Sequence, residues 1–173
     1  MALLIPRRFI LAALVSLVAP FCHGADAAAS LEYQVKAAFL FNFLKFVEWP
    51  AAPPDSPWVI GVVGHDPIGD VLDNMVRGKI VSGRAVKIRR YVKSTGIKDC
   101  NILFIGRADF ERFGTPVEPG LVTVGEAPGF LKAGGIINFY LEDNRVRFEI
   151  LASAAHTTGF RVSSQLLKLG RTL

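Results

Sequence analysis

Two glutamates, one histidine and a few arginines are the side chains of this chain best suited to chemistry. Glu126 stands at the end of a predicted strand, GLVTVG, and Glu149 alternates with Arg147 and Arg145 along the second arm of a predicted hairpin. A carboxylate beside arginines can form an anion site or a recognition strip. It can also be a solvated row of compensating charge, and such rows are weak by themselves. His65 lies in the loop GVVGHDPIG after the first predicted strand, where α/β sheets often bind anions at a helix N-terminus. That loop is neither GxGxxG nor a Walker sequence, and Asp66 in it repels phosphate, so capping accounts for it better. His23 near the start and His156 in a short helix are the other histidines. None of the three falls into HxxxH, HExxH or a Cys/His zinc spacing. No GxSxG turn is present, and Ser163-Ser164 stand at a helix start, where capping explains them. The pattern predicts no catalytic residue, no metal and no cofactor. Two candidate sites remain: a ligand pocket at strand ends near His65, Arg84 and Glu126, and a partner-binding strip of Arg145, Arg147 and Glu149.

A third feature suits protein contact. LEYQVKAAFLFNFLKFVEWP, residues 31–50, carries four phenylalanines and a tryptophan at helical spacing and stops at Trp-Pro. Ser30 is placed to cap this helix, with Glu32 in its first turn. Val35, Phe39, Phe43 and Phe46 share one face, with Leu40, Leu44 and Val47 beside them. Gln34, Lys45 and Glu48 lie opposite, and Phe41 projects to that polar side. A ring there is either covered by another element or is a contact for a partner. An aromatic anchor beside an arginine is the usual composition of a hot spot, so Phe41 joins the partner-binding candidates.

The elements that must position these residues read as an α/β series. After the proline-rich connector AAPPDSP comes the buried strand WVIGVVG, then a helix with Asp66 as cap and Pro67 at its first position, ended by Gly78. AVKIRRYV alternates like a strand with one wet face, and NILFIG is a central strand by its continuous apolar run. RADFERFG is a short helix, GLVTVG a strand and PGFLKAGG a turn-rich connector. IINFYLEDNRVRFEI reads as a hairpin around Glu142-Asp143-Asn144, with Val146, Phe148 and Ile150 inward. LASAAHTTG and VSSQLLKLGRTL are two short closing helices. The predicted fold is a compact single α/β domain: a mixed central sheet of about five or six strands flanked by helices, with a C-terminal hairpin and two short helices.

The first residues read as a signal peptide. Arg7 and Arg8 precede an uncharged apolar run from Phe9 to Phe21, and small residues follow at signal-peptidase spacing. Cleavage after Gly24, or as late as Ala27, fits, and the run is short for a membrane span. The rest of the 173 residues makes one domain, residues 31–173, and the 51% apolar content is enough to fill its core. The net charge of +5 includes the two leader arginines, and no basic block marks a nucleic-acid surface. If Cys22 leaves with the leader, Cys100 stands alone, which excludes a disulfide within the mature chain; a buried thiol is the simplest reading.

Taken in order, YQVKAAFLFNFLKFVEWP, IGVVGHDPIGDVL, SGRAVKIRR, CNILFIG, TVGEAPGF, GGIINFYLEDNRVRFEI and SSQLLKLGR resemble the YfiR family of bacterial periplasmic proteins. The resemblance covers nearly the whole mature chain. It implies a compact α/β domain without enzymatic activity. It also implies a periplasmic regulator that binds the sensor region of an inner-membrane diguanylate cyclase and represses it, controlling cyclic-di-GMP and biofilm formation. Some family members form dimers or respond to envelope redox state through disulfides. This chain departs in two places. Leu151 stands where the family often has Asn, and the paired cysteines are absent, so the redox switch does not carry over unless Cys100 pairs between chains. The rival expectation is a periplasmic module that senses a small ligand at His65, Arg84 and Glu126; a hydrolase ranks last, since no nucleophile–base pair is displayed.

Overall fold

The computed structural model describes residues 23–49 and 56–173. Residues 1–22 of the predicted leader, Cys22 among them, and residues 50–55 of the proline-rich connector lie outside the described residues, as do the side chains of His23 and His156. The chain runs α1 (His23–Phe46), β1 (Val47–Glu48), β2 (Trp58–Val63), α2 (Asp70–Val76), β3 (Ile80–Val81), β4 (Arg84–Tyr91) and β5 (Ile102–Ile105). It continues with α3 (Arg107–Phe113), β6 (Val122–Gly125), β7 (Ile137–Glu142), β8 (Arg145–Ile150), α4 (Ala152–Thr157), β9 (Arg161–Val162), α5 (Ser164–Leu169) and β10 (Arg171–Thr172).

The main sheet has the order β10-β8-β7-β6-β5-β2-β4-β3. Its centre, β4-β2-β5-β6-β7, is parallel throughout. β2, β5 and β6 are buried on both faces, which is why WVIGVV and ILFI are continuously apolar, whereas β4 is not. β8 returns antiparallel to β7 through a two-residue turn, with Asp143 and Asn144 both at positive φ, the conformation that suits a hairpin's twist. The expected architecture is present, with eight strands instead of five or six. The extra ones, β3 and β10, are two residues each, too short to show alternation. The pair β1–β9, a separate two-stranded sheet, was hidden for the same reason.

Two cores sit on the two faces. On one, Leu40 and Phe43 of α1 and Leu72 of α2 cover Ile60, Phe104, Val124, Phe139 and Phe148. The ring of Phe43 lies 5.9 Å from Phe139 and 5.3 Å from Phe148, and Phe39 lies 5.1 Å from Phe148, spacings at which aromatic pairs add to plain burial. On the other face, Val59, Val63, Leu103 and Ile105 pack with Phe130, Leu131 and Phe110. Phe130 is fully buried and fits only because its neighbours are glycines. A Cβ on Gly125 or on Gly135 would fall 2.3 or 2.2 Å from its ring. The glycines of TVGEAPGF and GG therefore form a slot for one ring.

Several details differ from the sequence reading, among them the last helix, which ends at Leu169 so that Arg171 and Thr172 form β10. α1 runs straight through Ser30, which is therefore no cap, and it ends at Phe46 because Val47 and Glu48 pair with β9 before Trp49-Pro50 is reached. α2 starts at Asp70, not at Pro67. Asp66 caps the preceding turn instead, accepting from Ile68 N at 3.0 Å and Gly69 N at 2.9 Å. Finally, the inward stripe of α1 includes Lys36 and Ala37 where Val35 was expected; Val35 is 37% exposed.

Candidate functional site

In a doubly wound sheet the carboxyl ends of the strands make the natural crevice, at the point where successive connections leave for opposite faces. Here that point lies between β2, which leads to α2 on one face, and β5, which leads to α3 on the other. The chain fills it with its own side chains. Glu126 follows β6 and is buried. Its Oε2 receives Lys36 Nζ at 2.5 Å, and its Oε1 receives Tyr33 Oη at 3.2 Å and Arg107 N at 3.1 Å. Glu32 holds the same ammonium from one helical turn away, and the ammonium also lies 4.6 Å from the centre of the Tyr33 ring. Burial, with Glu126 next to it, pushes the Tyr33 hydroxyl up to about 12, so it is a donor at any physiological pH. Beside this cluster, Gly64 turns with φ 77° and His65 N donates to Asp109 Oδ2 at 2.8 Å. A side chain on Gly64 would run into that carboxylate.

The structure thus puts His65 and Glu126 on the same edge of the sheet, His65 exposed and Glu126 buried. Arg84 sits at the opposite edge. It opens β4 near the start of β2, lies 3.7 Å over the Trp58 ring and donates to Ser56 Oγ at 2.7 Å and Pro57 O at 3.3 Å. A pocket formed by all three is not assembled. Lys36 and Tyr33 were missed by sequence reasoning; the signal was a lysine on the apolar side of an otherwise aromatic helix.

The partner-binding candidates also part company. Phe148 and Ile150 of β8 face α1, so Arg145, Arg147 and Glu149 project from the other face. Arg147 and Arg171 share one carboxylate, Glu142, at 3.8 and 3.4 Å, while Glu149 accepts from Asn138 Nδ2 at 3.3 Å. Phe41, on α1, is half-buried against the core with Lys45 Nζ 4.4 Å over its ring. More open is the flank of α1 toward α2. Leu31, Gln34, Val35, Ala38, Phe39 and Asn42, with Met75 of α2, line a groove of about 460 Å³, and Leu31 is 61% exposed.

Cys100 is buried, with its thiol 3.1 Å from Ile102 O, and burial pushes it up to about 11. Leu151 donates its N–H to Ile136 O at 2.9 Å and packs its side chain on the second core, so the position serves packing in this chain. Among the described residues no group of His, Cys, Asp and Glu could hold a metal ion, and no helix is long and apolar enough to cross a membrane.

Compared with known proteins, the chain matches a family described as YfiR/HmsC-like over residues 33–171. No curated protein matches it.

Proposed function

The chain belongs to the YfiR/HmsC-like family, and from that membership we propose that it is a non-catalytic periplasmic regulator acting by protein contact. Its partner is the outward-facing sensor region of an inner-membrane signalling protein, a diguanylate cyclase. Binding that region preferentially in its inactive form shifts the cyclase's population toward that form and lowers cyclic-di-GMP in the cell. The observation that carries this reading is the open apolar groove on α1, with Leu31 and Val35 exposed beside Phe39 and Met75. Apolar surface left exposed between two helices favours an interaction site. The small-ligand reading is weaker, because a ligand at the crevice must displace Lys36 and Tyr33 from Glu126.

The test is capture of a membrane diguanylate cyclase from the cells that export this protein, with intracellular cyclic-di-GMP measured after deletion of the regulator. Deletion raises cyclic-di-GMP under this reading; unchanged levels without capture count against it. Phe41→Ala and Arg147→Ala, measured separately, report on opposite faces, and unchanged affinity in both removes Phe41, Arg145, Arg147 and Glu149 from the contact. N-terminal sequencing of the exported protein locates cleavage after Gly24 or Ala27.

A further inference from the structure

β4 is the longest strand of the sheet, eight residues, and most of it is an edge. β3 pairs only with Arg84 and Ala85, and the last bond on that side runs from Val86 N to Lys79 O at 3.1 Å. On the inner side Tyr91 O accepts from Gly64 N at 3.0 Å. Backbone groups of successive strand residues point alternately to the two neighbours. Both bonds therefore give the same parity: Lys87, Arg89 and Tyr91 point to β2, and Ile88 and Arg90 point outward. Among the described residues the N–H and C=O of Ile88 and Arg90, and the C=O of Val86, have no ladder partner.

The side chains along this edge are basic. Lys87, Arg89 and Lys93 are exposed and pair with no carboxylate among the described residues. Arg90, on the α2 face, is already held by Asp66 at 2.8 Å and Asp73 at 2.5 Å. Proteins ordinarily blunt an edge with short strands, bulges or charge. This one is long and regular, and the unpaired charge it carries, on Lys87 and Arg89, is positive. Like charge keeps a second copy of the chain away and leaves the edge open to a strand of opposite sign.

We propose that the β4 edge from Val86 to Tyr91 takes an extended acidic segment of a protein partner as an added strand. Its backbone would satisfy Ile88 and Arg90, and carboxylates at alternate positions would face Lys87 and Arg89, a pairing in which main-chain bonds give affinity and alternate side chains give selectivity. The inference rests on the reading of the chain as a protein-binding regulator and names the chemistry of the segment it would receive.

The test titrates the protein with a synthetic peptide alternating glutamate with valine and threonine, and follows amide hydrogen exchange residue by residue. Exchange at Ile88 and Arg90 slows by about tenfold or more, while Lys87 and Arg89, already in the ladder, change little. Lys87→Glu with Arg89→Glu abolishes the effect and admits the lysine version of the peptide. Ile88→Pro, at a position whose N–H faces solvent and where an edge tolerates proline, also abolishes it, with thermal melting reporting that the fold is kept. Unchanged exchange at Ile88 and Arg90 under saturating peptide overturns the proposal. So does binding to anionic phospholipid vesicles that depends on Lys87 and Arg89 but leaves those two amides unprotected. Capture of the membrane partner with no protection of the edge sinks the edge alone; protection by the peptide with no captured partner counts against the regulator reading alone.

Discussion

Lys36 Nζ lies 2.5 Å from Glu126 Oε2, although 90 positions separate the two residues, and both side chains are buried. The pair ties α1 to the carboxyl end of β6 at the point where an α/β sheet most often keeps its ligand crevice.

Removing one member leaves the other charged and buried. Lys36→Met is expected to destabilise the protein by about 3–5 kcal/mol, the cost of breaking a buried pair. The double variant Lys36→Met, Glu126→Gln recovers part of this, because Tyr33 Oη and Arg107 N still donate to the remaining carbonyl. Urea denaturation of the two variants checks it. A double variant as unstable as the single one would mean that the charge pair is not what Lys36 contributes.

Phe130 gives a packing prediction. Gly125→Ala places a methyl against its ring and should cost about 1–3 kcal/mol by overpacking, while Phe130→Ala should cost about 3–5 kcal/mol through the cavity it leaves. Combining them relieves the clash, so the two losses should not add. Thermal melts of the three variants measure this; full additivity would show that the ring and Gly125 do not compete for space.

Much of this fold is legible in the amino-acid sequence. Ile102–Ile105 reads as a central strand because burial on both faces demands an unbroken apolar run, and the hairpin turn falls at Asp143-Asn144 because both tolerate positive φ. The separation of Arg84 from His65 is legible in principle too. Arg84 begins a strand while His65 follows one, and parallel strands put beginnings and ends at opposite edges. The contact of Lys36 with Glu126 is not legible, since it depends on where α1 crosses the sheet and no periodicity encodes that. Ser30 looks like a cap because its residue type suits one. The type alone does not stop a helix whose inward face continues to find partners, as Tyr33, Lys36 and Ala37 do.

Cys100 should be inert in the folded protein. Burial raises its thiol from 9.0 to about 11, so at pH 8 the reactive thiolate is roughly a hundredfold scarcer than in the unfolded chain. Because the folded value is the higher one, the associated stability is fully present below pH 9 and is lost as pH rises toward 11. Iodoacetamide at pH 8 should label the protein only in denaturant. Rapid labelling of the native protein, or a disulfide-linked dimer without unfolding, would reopen a redox role for this residue.

The groove on α1 separates binding from stability. Leu31 is 61% exposed, so Leu31→Glu should change stability by no more than about 0.5 kcal/mol. If a partner's apolar side chain sits in the groove, the same change buries an unpaired carboxylate in the complex, and affinity for the membrane partner should fall by about tenfold or more. Phe41→Ala behaves differently. The ring is packed against the core, so its loss should lower the melting temperature whether or not the partner touches it. Calorimetric melts and affinity measurements on both variants separate the effects. Intact affinity with Leu31→Glu removes the groove from the interface, and lost affinity with Phe41→Ala counts as contact only if the variant is still folded at the temperature of the assay.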